Sequence, residues 1–209
     1  MVEGDEGILS LPDSRLNPDE NELRKKVRSM NEINPDTYCG LYCGACSVAV
    51  YGKTGQADNF IACIKGVPRE AFSCDGCKSE NLYAGCRACG LRRCAREKKV
   101  EHCTDCADYP CRSYRAFQKM SKLLPHLRGV AAALESIRRD GAGHWLNAEN
   151  RRWLCPDCGT PFSWYAAACR ECGRSLASEA HGLSAWKKPL CRFMLSMAYR
   201  KGKADRKNV

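Results

Sequence analysis

The chain has 209 residues, 28% of them charged, with a formal net charge of +10 and 17 cysteines. That length accommodates one domain or two small ones, and no stretch approaches the roughly 18 consecutive apolar residues of a membrane span. The opening Met1-Val2-Glu3-Gly4-Asp5-Glu6 lacks the basic and apolar segments of an export signal. The expected compartment is therefore the cytoplasm, where dense cysteine means metal more often than disulfide.

In chain order, residues 1–36 read as a disordered segment followed by a docking helix. Asn17-Pro18-Asp19-Glu20 gives that helix an N-cap, a first-turn proline and acids at its positive end. Leu23, Val27 and Met30 recur at helical spacing, and Asn34-Pro35-Asp36 ends it. Residues 37–115 form a Cys-rich metal-binding domain with knuckles at Cys43/Cys46, Cys74/Cys77, Cys86/Cys89 and Cys103/Cys106. The single cysteines Cys39, Cys63, Cys94 and Cys111 bring its total to twelve, enough for three four-thiolate sites. A repeat is visible inside it: Cys86-x2-Cys89-x4-Cys94 recurs 17 residues later as Cys103-x2-Cys106-x4-Cys111.

Residues 116–150 read as a helical linker. Tyr114, Phe117 and Leu124 fit one face; Pro125 begins a second helix with a stripe of Leu127, Val130, Leu134 and Ile137, stopped by Gly141 and Gly143. Residues 151–175 hold the strongest motif, Cys155-Pro156-Asp157-Cys158-Gly159 and then Cys169-Arg170-Glu171-Cys172-Gly173. Two residues between cysteines let both sulfurs of a knuckle converge, and the following glycine supplies the positive φ that closes the turn. Phe162-Ser163-Trp164-Tyr165 reads as a strand, so the module is expected to be a zinc ribbon with Trp153 in its small core. Residues 176–209 form a basic helix and tail: Leu190, Phe193, Met194 and Met197 are expected to pack on the protein, and Lys201 to Val209 to be a solvated tail.

The fold class these elements predict is a small metal-stabilised α+β protein, with an irregular Cys-rich N-terminal domain, a helical linker and a C-terminal zinc ribbon. The expected ligands are Cys39, Cys43, Cys46, Cys63, Cys74, Cys77, Cys86, Cys89, Cys94, Cys103, Cys106, Cys111, Cys155, Cys158, Cys169 and Cys172. They would bind about four zinc ions, each M(Cys)4 site carrying about −2. Four such sites bring the formal +10 down to roughly +2, which removes most of the case for a polyanion partner.

Cys39-x3-Cys43-x2-Cys46 also has the spacing of radical-SAM cluster ligands, but too little chain follows for the barrel such enzymes need. The tight Cys-x2-Cys-x2-Cys run of bacterial ferredoxins is absent, and the six cysteines from Cys86 to Cys111 are ordered like a binuclear Zn2Cys6 module. His102, beside Cys103, could replace a thiolate, and basic neighbours Lys187, Lys188 and Arg192 could activate Cys191.

Tyr38-Cys39-Gly40-Leu41-Tyr42-Cys43-Gly44-Ala45-Cys46, with Cys74-Asp75-Gly76-Cys77-Lys78 and Cys103-Thr104-Asp105-Cys106-Ala107-Asp108-Tyr109-Pro110-Cys111, resembles a family of cysteine-rich domains of unknown function common in anaerobes. The resemblance covers residues 36–175 and implies a metal-binding cytoplasmic protein with a terminal zinc ribbon and no assigned activity. Function is expected to be binding or scaffolding of a protein partner, with iron–sulfur redox chemistry on the N-terminal cysteines as the alternative. Full thiolate ligation leaves no open coordination position, which disfavours an enzyme. RNA contact would use Trp153, Trp164, Tyr165, Arg151, Arg152, Arg170 and Arg174, although those aromatics are expected in the core.

Overall fold

A computed structural model describes residues 33–64 and 67–205, without the side chains of 201 and 203–205. The expected N-terminal helix with Leu23, Val27 and Met30 lies outside the described residues. Seven α-helices are described: α1 (Ser47–Thr54), α2 (Ala84–Arg87), α3 (Gly90–Glu97), α4 (Arg112–Lys119), α5 (Val130–Asp140), α6 (Ala142–Arg152) and α7 (Lys188–Asp205). Short 3-10 turns join them, among them Cys43–Ala45, Ile61–Cys63 and Cys103–Asp105.

The expected α+β class is wrong. About 51% of the molecule is helix and 2% strand, and the described residues contain no sheet. The segment read as a strand explains why. Phe162, Ser163, Trp164 and Tyr165 are all buried, whereas a half-exposed ribbon strand alternates between core and solvent. Their backbone bonds also go elsewhere: Trp164 N–H donates to the Ala45 carbonyl at 2.9 Å, and the Trp164 carbonyl accepts from His181 N–H at 2.7 Å. Two isolated bridges, Leu154 with Pro161 and Ala168 with Ser175, are the extent of β pairing among the described residues. The module is a pair of knuckles and not a zinc ribbon.

The apolar stripe of α5 is buried as its periodicity predicts, through Val130, Leu134 and Ile137. The helix starts at Val130 because Gly129 interrupts it; Pro125–Leu127 is a separate 3-10 turn, with Leu127 still in the core. Gly141, at φ +86°, ends α5, and the polar stretch after it forms α6, which buries Trp145. Gly40 has φ +83°, and a Cβ there would stand 2.6 Å from the Val130 carbonyl oxygen. The absent side chain lets the first cysteine loop lie directly on α5.

One continuous core runs through both cysteine regions, from Ile33 to Cys191. Its polar centre is Asp58. One carboxylate oxygen accepts from Phe60 N–H and Ile61 N–H, each at 2.9 Å; the other accepts from Ser47 Oγ at 2.5 Å and Ser163 Oγ at 2.7 Å. Ser47 begins α1 and Ser163 lies between the knuckles, so this one side chain ties the two regions together. His126 stacks on Trp164 at 4.4 Å and shares a 2.7 Å hydrogen bond with the Tyr165 hydroxyl.

The C-terminal helix corrects a second expectation. Leu190, Phe193 and Met197 are exposed, with Trp186 just before them, while Cys191 is buried and Leu195 and Tyr199 pack on the core. Gly202 brings α7 against α2, where a Cβ would overlap the Ala84 carbonyl. The inward face is the one that carries the small residues needed for this approach. Helix also continues to Asp205, into the stretch expected to be a tail. No helix among the described residues is long and apolar enough to cross a membrane.

Candidate metal centre

The two knuckles are built alike, 14 positions apart. Cys155 N–H donates to Thr160 O at 2.9 Å and Cys169 N–H to Arg174 O at 2.8 Å; Gly159 N–H returns to Cys155 O and Gly173 N–H to Cys169 O. Each closing glycine has positive φ, +70° at Gly159 and +73° at Gly173, a region open to glycine without Cβ strain. Trp153 and Phe162 flank the first knuckle, and Leu176 is fully buried beside the second.

This symmetry brings four sulfurs together. Those of Cys155, Cys158, Cys169 and Cys172 all lie within 4.8 Å of one another, with Cys155 and Cys172 at 3.7 Å and Cys158 and Cys169 at 3.5 Å. A tetrahedral ion with bonds of about 2.3 Å needs sulfur separations of about 3.8 Å. The four cysteines can therefore hold a metal ion. The Cys158 thiol is lowered to about 6, first by hydrogen bonding to the Thr160 side chain and backbone. At Cys172 the Arg174 amide favours the thiolate, but burial and the neighbouring sulfurs outweigh it and push the thiol up to about 12. Four anions this close repel one another, and a cation between them removes that penalty.

The N-terminal cysteines are arranged differently. Among the described residues, no other set of three or more sulfur, imidazole or carboxylate ligand atoms lies within 4.8 Å of one another. All seventeen cysteines are free thiols, so disulfides do not hold the block together. Burial sets the behaviour of these thiols first, and neighbouring sulfurs add to it. Burial first, and then the thiols of Cys46, Cys74, Cys77 and Cys89, push Cys86 well above its ordinary value. Cys43 is raised in the same way by burial and by Cys46, Cys77 and Cys86, while the Cys77 amide donates to its sulfur. Cys46 is pushed up to about 12 by burial first and then by Cys74. Cys39 is raised by burial, with Cys77 and Cys89 opposing its ionisation, and Cys77 rises to about 11. Cys103, at about 12, is raised by burial and then by Cys111, Cys94, Cys89 and Cys106.

Four α-helices start in this block, and a cysteine is the N-cap of three of them: Cys46 for α1, Cys89 for α3 and Cys111 for α4, with Tyr83 in that position for α2. Sequence reasoning treated these cysteines as loop ligands and missed the caps. The signal was present in Arg112 to Lys119, a helix-compatible run directly after a cysteine. A helix start carries about +0.5 charge, so each cap places one sulfur where an anionic metal-thiolate group is favoured.

Cys63 does not share this setting. It ends the 3-10 turn Ile61–Cys63 and donates to Asn59 O at 3.3 Å. Burial first, then Cys63, pushes the Cys191 thiol up in spite of Lys187, so the basic neighbours do not activate it. His102 is buried between carboxylates, with Nε2 3.0 Å from Asp36 and Nδ1 3.7 Å from Asp105. It clamps the loop before Cys39 to the loop before Cys103, with Lys78 on the other Asp36 oxygen at 2.7 Å. Trp153, Trp164 and Tyr165 are buried, which leaves no aromatic stacking face for RNA on these side chains.

Residues 36–116 match a family described as Protein of unknown function (DUF3795). The Cys-rich character of that stretch fits the match, which ends before α5, α6 and the knuckles. No curated protein and no solved structure matches the chain.

Proposed function

We propose that this protein is a redox module: the knuckle sulfurs of Cys155, Cys158, Cys169 and Cys172 hold one zinc, and the thiols between Cys39 and Cys111 hold iron–sulfur clusters. The observation that carries this reading is the contrast in sulfur spacing. The C-terminal set has the close separations of a single tetrahedral ion, and among the described residues no N-terminal set of three or more ligand atoms lies that close. A cluster core places several metal and sulfide atoms between its thiolates and so needs a wider spread. Zinc throughout would call for three further close quartets.

The division of labour follows from the residues. Four thiolates leave a zinc closed, so its role is structural, and about 10–16 kcal/mol of binding energy in comparable peptides is enough to fold so small a unit. Residues 37–115 and 151–175 are then two metal-dependent units joined by the helices of 116–150. Iron–sulfur clusters supply one-electron transfer. Around them this chain supplies burial, amides aimed at sulfur such as Cys77 N–H on Cys43, and helix starts at Cys46, Cys89 and Cys111. Those three devices set how readily an electron is accepted. A protein electron donor or acceptor is the corresponding partner.

Zinc, iron and acid-labile sulfide counted per chain after anaerobic purification test the reading. It expects about one zinc, with iron and sulfide in equal excess and absorbance near 400 nm. About four zinc ions with no iron or sulfide would instead establish a zinc scaffold.

A further inference from the structure

The large apolar side chains left exposed among the described residues are Met120, Trp186, Leu190, Phe193 and Met197, and they gather around one helix. Leu190, Phe193 and Met197 stand at i, i+3 and i+7 of α7, which puts them on one face. Trp186 leads into that helix through the turn Ala185–Lys187. Met120 belongs to the turn Met120–Lys122, where the Lys122 carbonyl accepts from Lys187 Nζ at 2.7 Å. The other side of α7 is already used: Cys191 is buried, Leu195 and Tyr199 pack on the core, and Tyr199 stacks on Tyr83 with ring centres 6.1 Å apart. Docking of the helix on its own protein therefore holds the apolar row outward, with Trp186 75% and Phe193 63% exposed. A contiguous exposed row of this kind marks an interaction site.

The charges around the row indicate what covers it. No Asp or Glu occurs between Glu179 and Asp205, whereas Lys187, Lys188, Arg192, Arg200, Lys201 and Lys203 all fall there. Arg200 continues the row at i+3 from Met197, Arg192 adjoins Phe193, and both are exposed. Lys187 Nζ lies 5.2 Å from the centre of the Trp186 ring, so cation and indole sit together at the start of the row. An anionic bilayer surface answers both features: its headgroups take up the cations, its acyl boundary takes the apolar side chains, and an indole is favoured at the level between them. A protein groove would have to be shaped to a single convex row, and a bilayer needs no such fit.

We infer that α7 and the turn before it form a docking face for an anionic lipid surface, with the helix lying in the interface plane and Trp186, Leu190, Phe193 and Met197 immersed. The contact is peripheral, since no helix among the described residues can cross a membrane. Gly202 sets α7 against Ala84 of α2, the helix that carries Cys86, so docking holds the cysteine block beside the bilayer. It does not depend on which metal those cysteines bind.

The test is flotation of the full metal-loaded chain, purified anaerobically, with vesicles of phosphatidylcholine alone or containing about 30% phosphatidylserine. The anionic vesicles should bind at least about tenfold more tightly. Phe193→Ser combined with Met197→Ser removes two exposed side chains and should weaken binding at least about tenfold at an unchanged melting point. Each basic side chain near such a surface is worth about fivefold, so Arg192→Ala combined with Arg200→Ala should cost about 25-fold. Acyl-brominated phosphatidylcholine in the anionic vesicles should quench tryptophan emission, and Trp186→Phe should abolish the quenching, because Trp145, Trp153 and Trp164 are buried. No flotation at low salt would overturn the inference. Binding that survives the two serine changes and shows no bromine quenching would also overturn it, being adsorption by charge alone. A dimer in sedimentation that the serine changes dissociate would assign the row to a second copy of the chain instead.

Discussion

Asp58 is the polar side chain on which the fold depends most, and its replacement gives the sharpest stability test. The carboxylate is 8% exposed and accepts from the Ser47 and Ser163 hydroxyls and the Phe60 and Ile61 amides. In Asp58→Ala, two backbone N–H groups and two hydroxyls lose their acceptor in a buried site. An unmet buried donor costs about 1–3 kcal/mol, and water entering the vacated volume recovers part of the total, so the net loss should be about 3–5 kcal/mol. Asp58→Asn keeps one oxygen for the two amides but turns an NH2 toward hydroxyls arranged to donate, a loss of about 1–2 kcal/mol. At about 2–4 °C per kcal/mol for a chain of this size, the alanine variant should melt about 10 °C lower and the asparagine variant about 4 °C lower. Melting of the metal-loaded protein under anaerobic reducing conditions, followed by tryptophan fluorescence, reads this directly because Trp164 lies next to Ser163. An alanine variant melting within 2 °C of the parent would refute the role given to this carboxylate.

Three other outcomes are expected. Cys158→Ser and Cys169→Ser should each lower bound zinc by about one equivalent while leaving iron and sulfide unchanged, as metal analysis would show; loss of both metals together would mean that the centres are not separate. Gly40→Ala forces a side chain into positive φ and against the Val130 carbonyl, at a cost of about 2–4 kcal/mol, visible as a melting point lower by roughly 4–16 °C. Burial first, then His181, lowers the His126 pKa to about 3. In the unfolded chain this imidazole titrates near 6.5, so the unfolded state binds the extra proton between those values. Stability is full above pH 6.5 and falls as pH drops, by about 1.4 kcal/mol per unit once below it. His126→Gln should flatten that fall when melting is compared at pH 7.5 and 5.5; an unchanged slope would mean that His126 is not held neutral.

The knuckle residues were the most legible part of the sequence, because a Cys-x2-Cys-Gly turn fixes its geometry locally through the glycine φ and two short backbone bonds. The α5 stripe was legible for the same reason, since Val130, Leu134 and Ile137 need one helical face and nothing distant. What failed was decided at a distance. Trp164 and Tyr165 look like strand residues, yet their backbone and rings are taken up by Ala45, His181 and His126, and no local propensity encodes those partners. Leu190, Phe193 and Met197 match a helical stripe, but α7 docks through its smaller face, because Gly202 permits an approach to α2 that larger side chains would block. Cys63 shows the limit of counting: its sulfur donates to Asn59 O within the turn before it, a local bond that the tally of twelve cysteines does not encode.

Under the proposed reading, the helix starts of the N-terminal region answer the charge on its ligands. Four thiolates around zinc, or around an oxidised four-iron core, leave about −2 on the group, and burying that charge is costly without a compensating dipole. A helix start provides one, and α1, α3 and α4 each begin at a cysteine. At Cys46 the Val48 and Ala49 amides favour the ionised sulfur, although they do not close a capping hydrogen bond, so the helix end stays oriented toward the anionic group. The knuckles have no helix start of their own, and there arginine meets the same demand. Arg170 is partly buried and feels the Cys169 and Cys158 sulfurs. Arg174 turns its backbone amide toward Cys172 while its guanidinium pairs with Asp157 and Glu179. The Nε atoms of both arginines are buried without a hydrogen-bond partner, an arrangement whose cost falls once an anionic centre forms beside them. Two different compensations, dipole in one region and guanidinium in the other, fit metal groups of two different kinds better than one ion repeated four times.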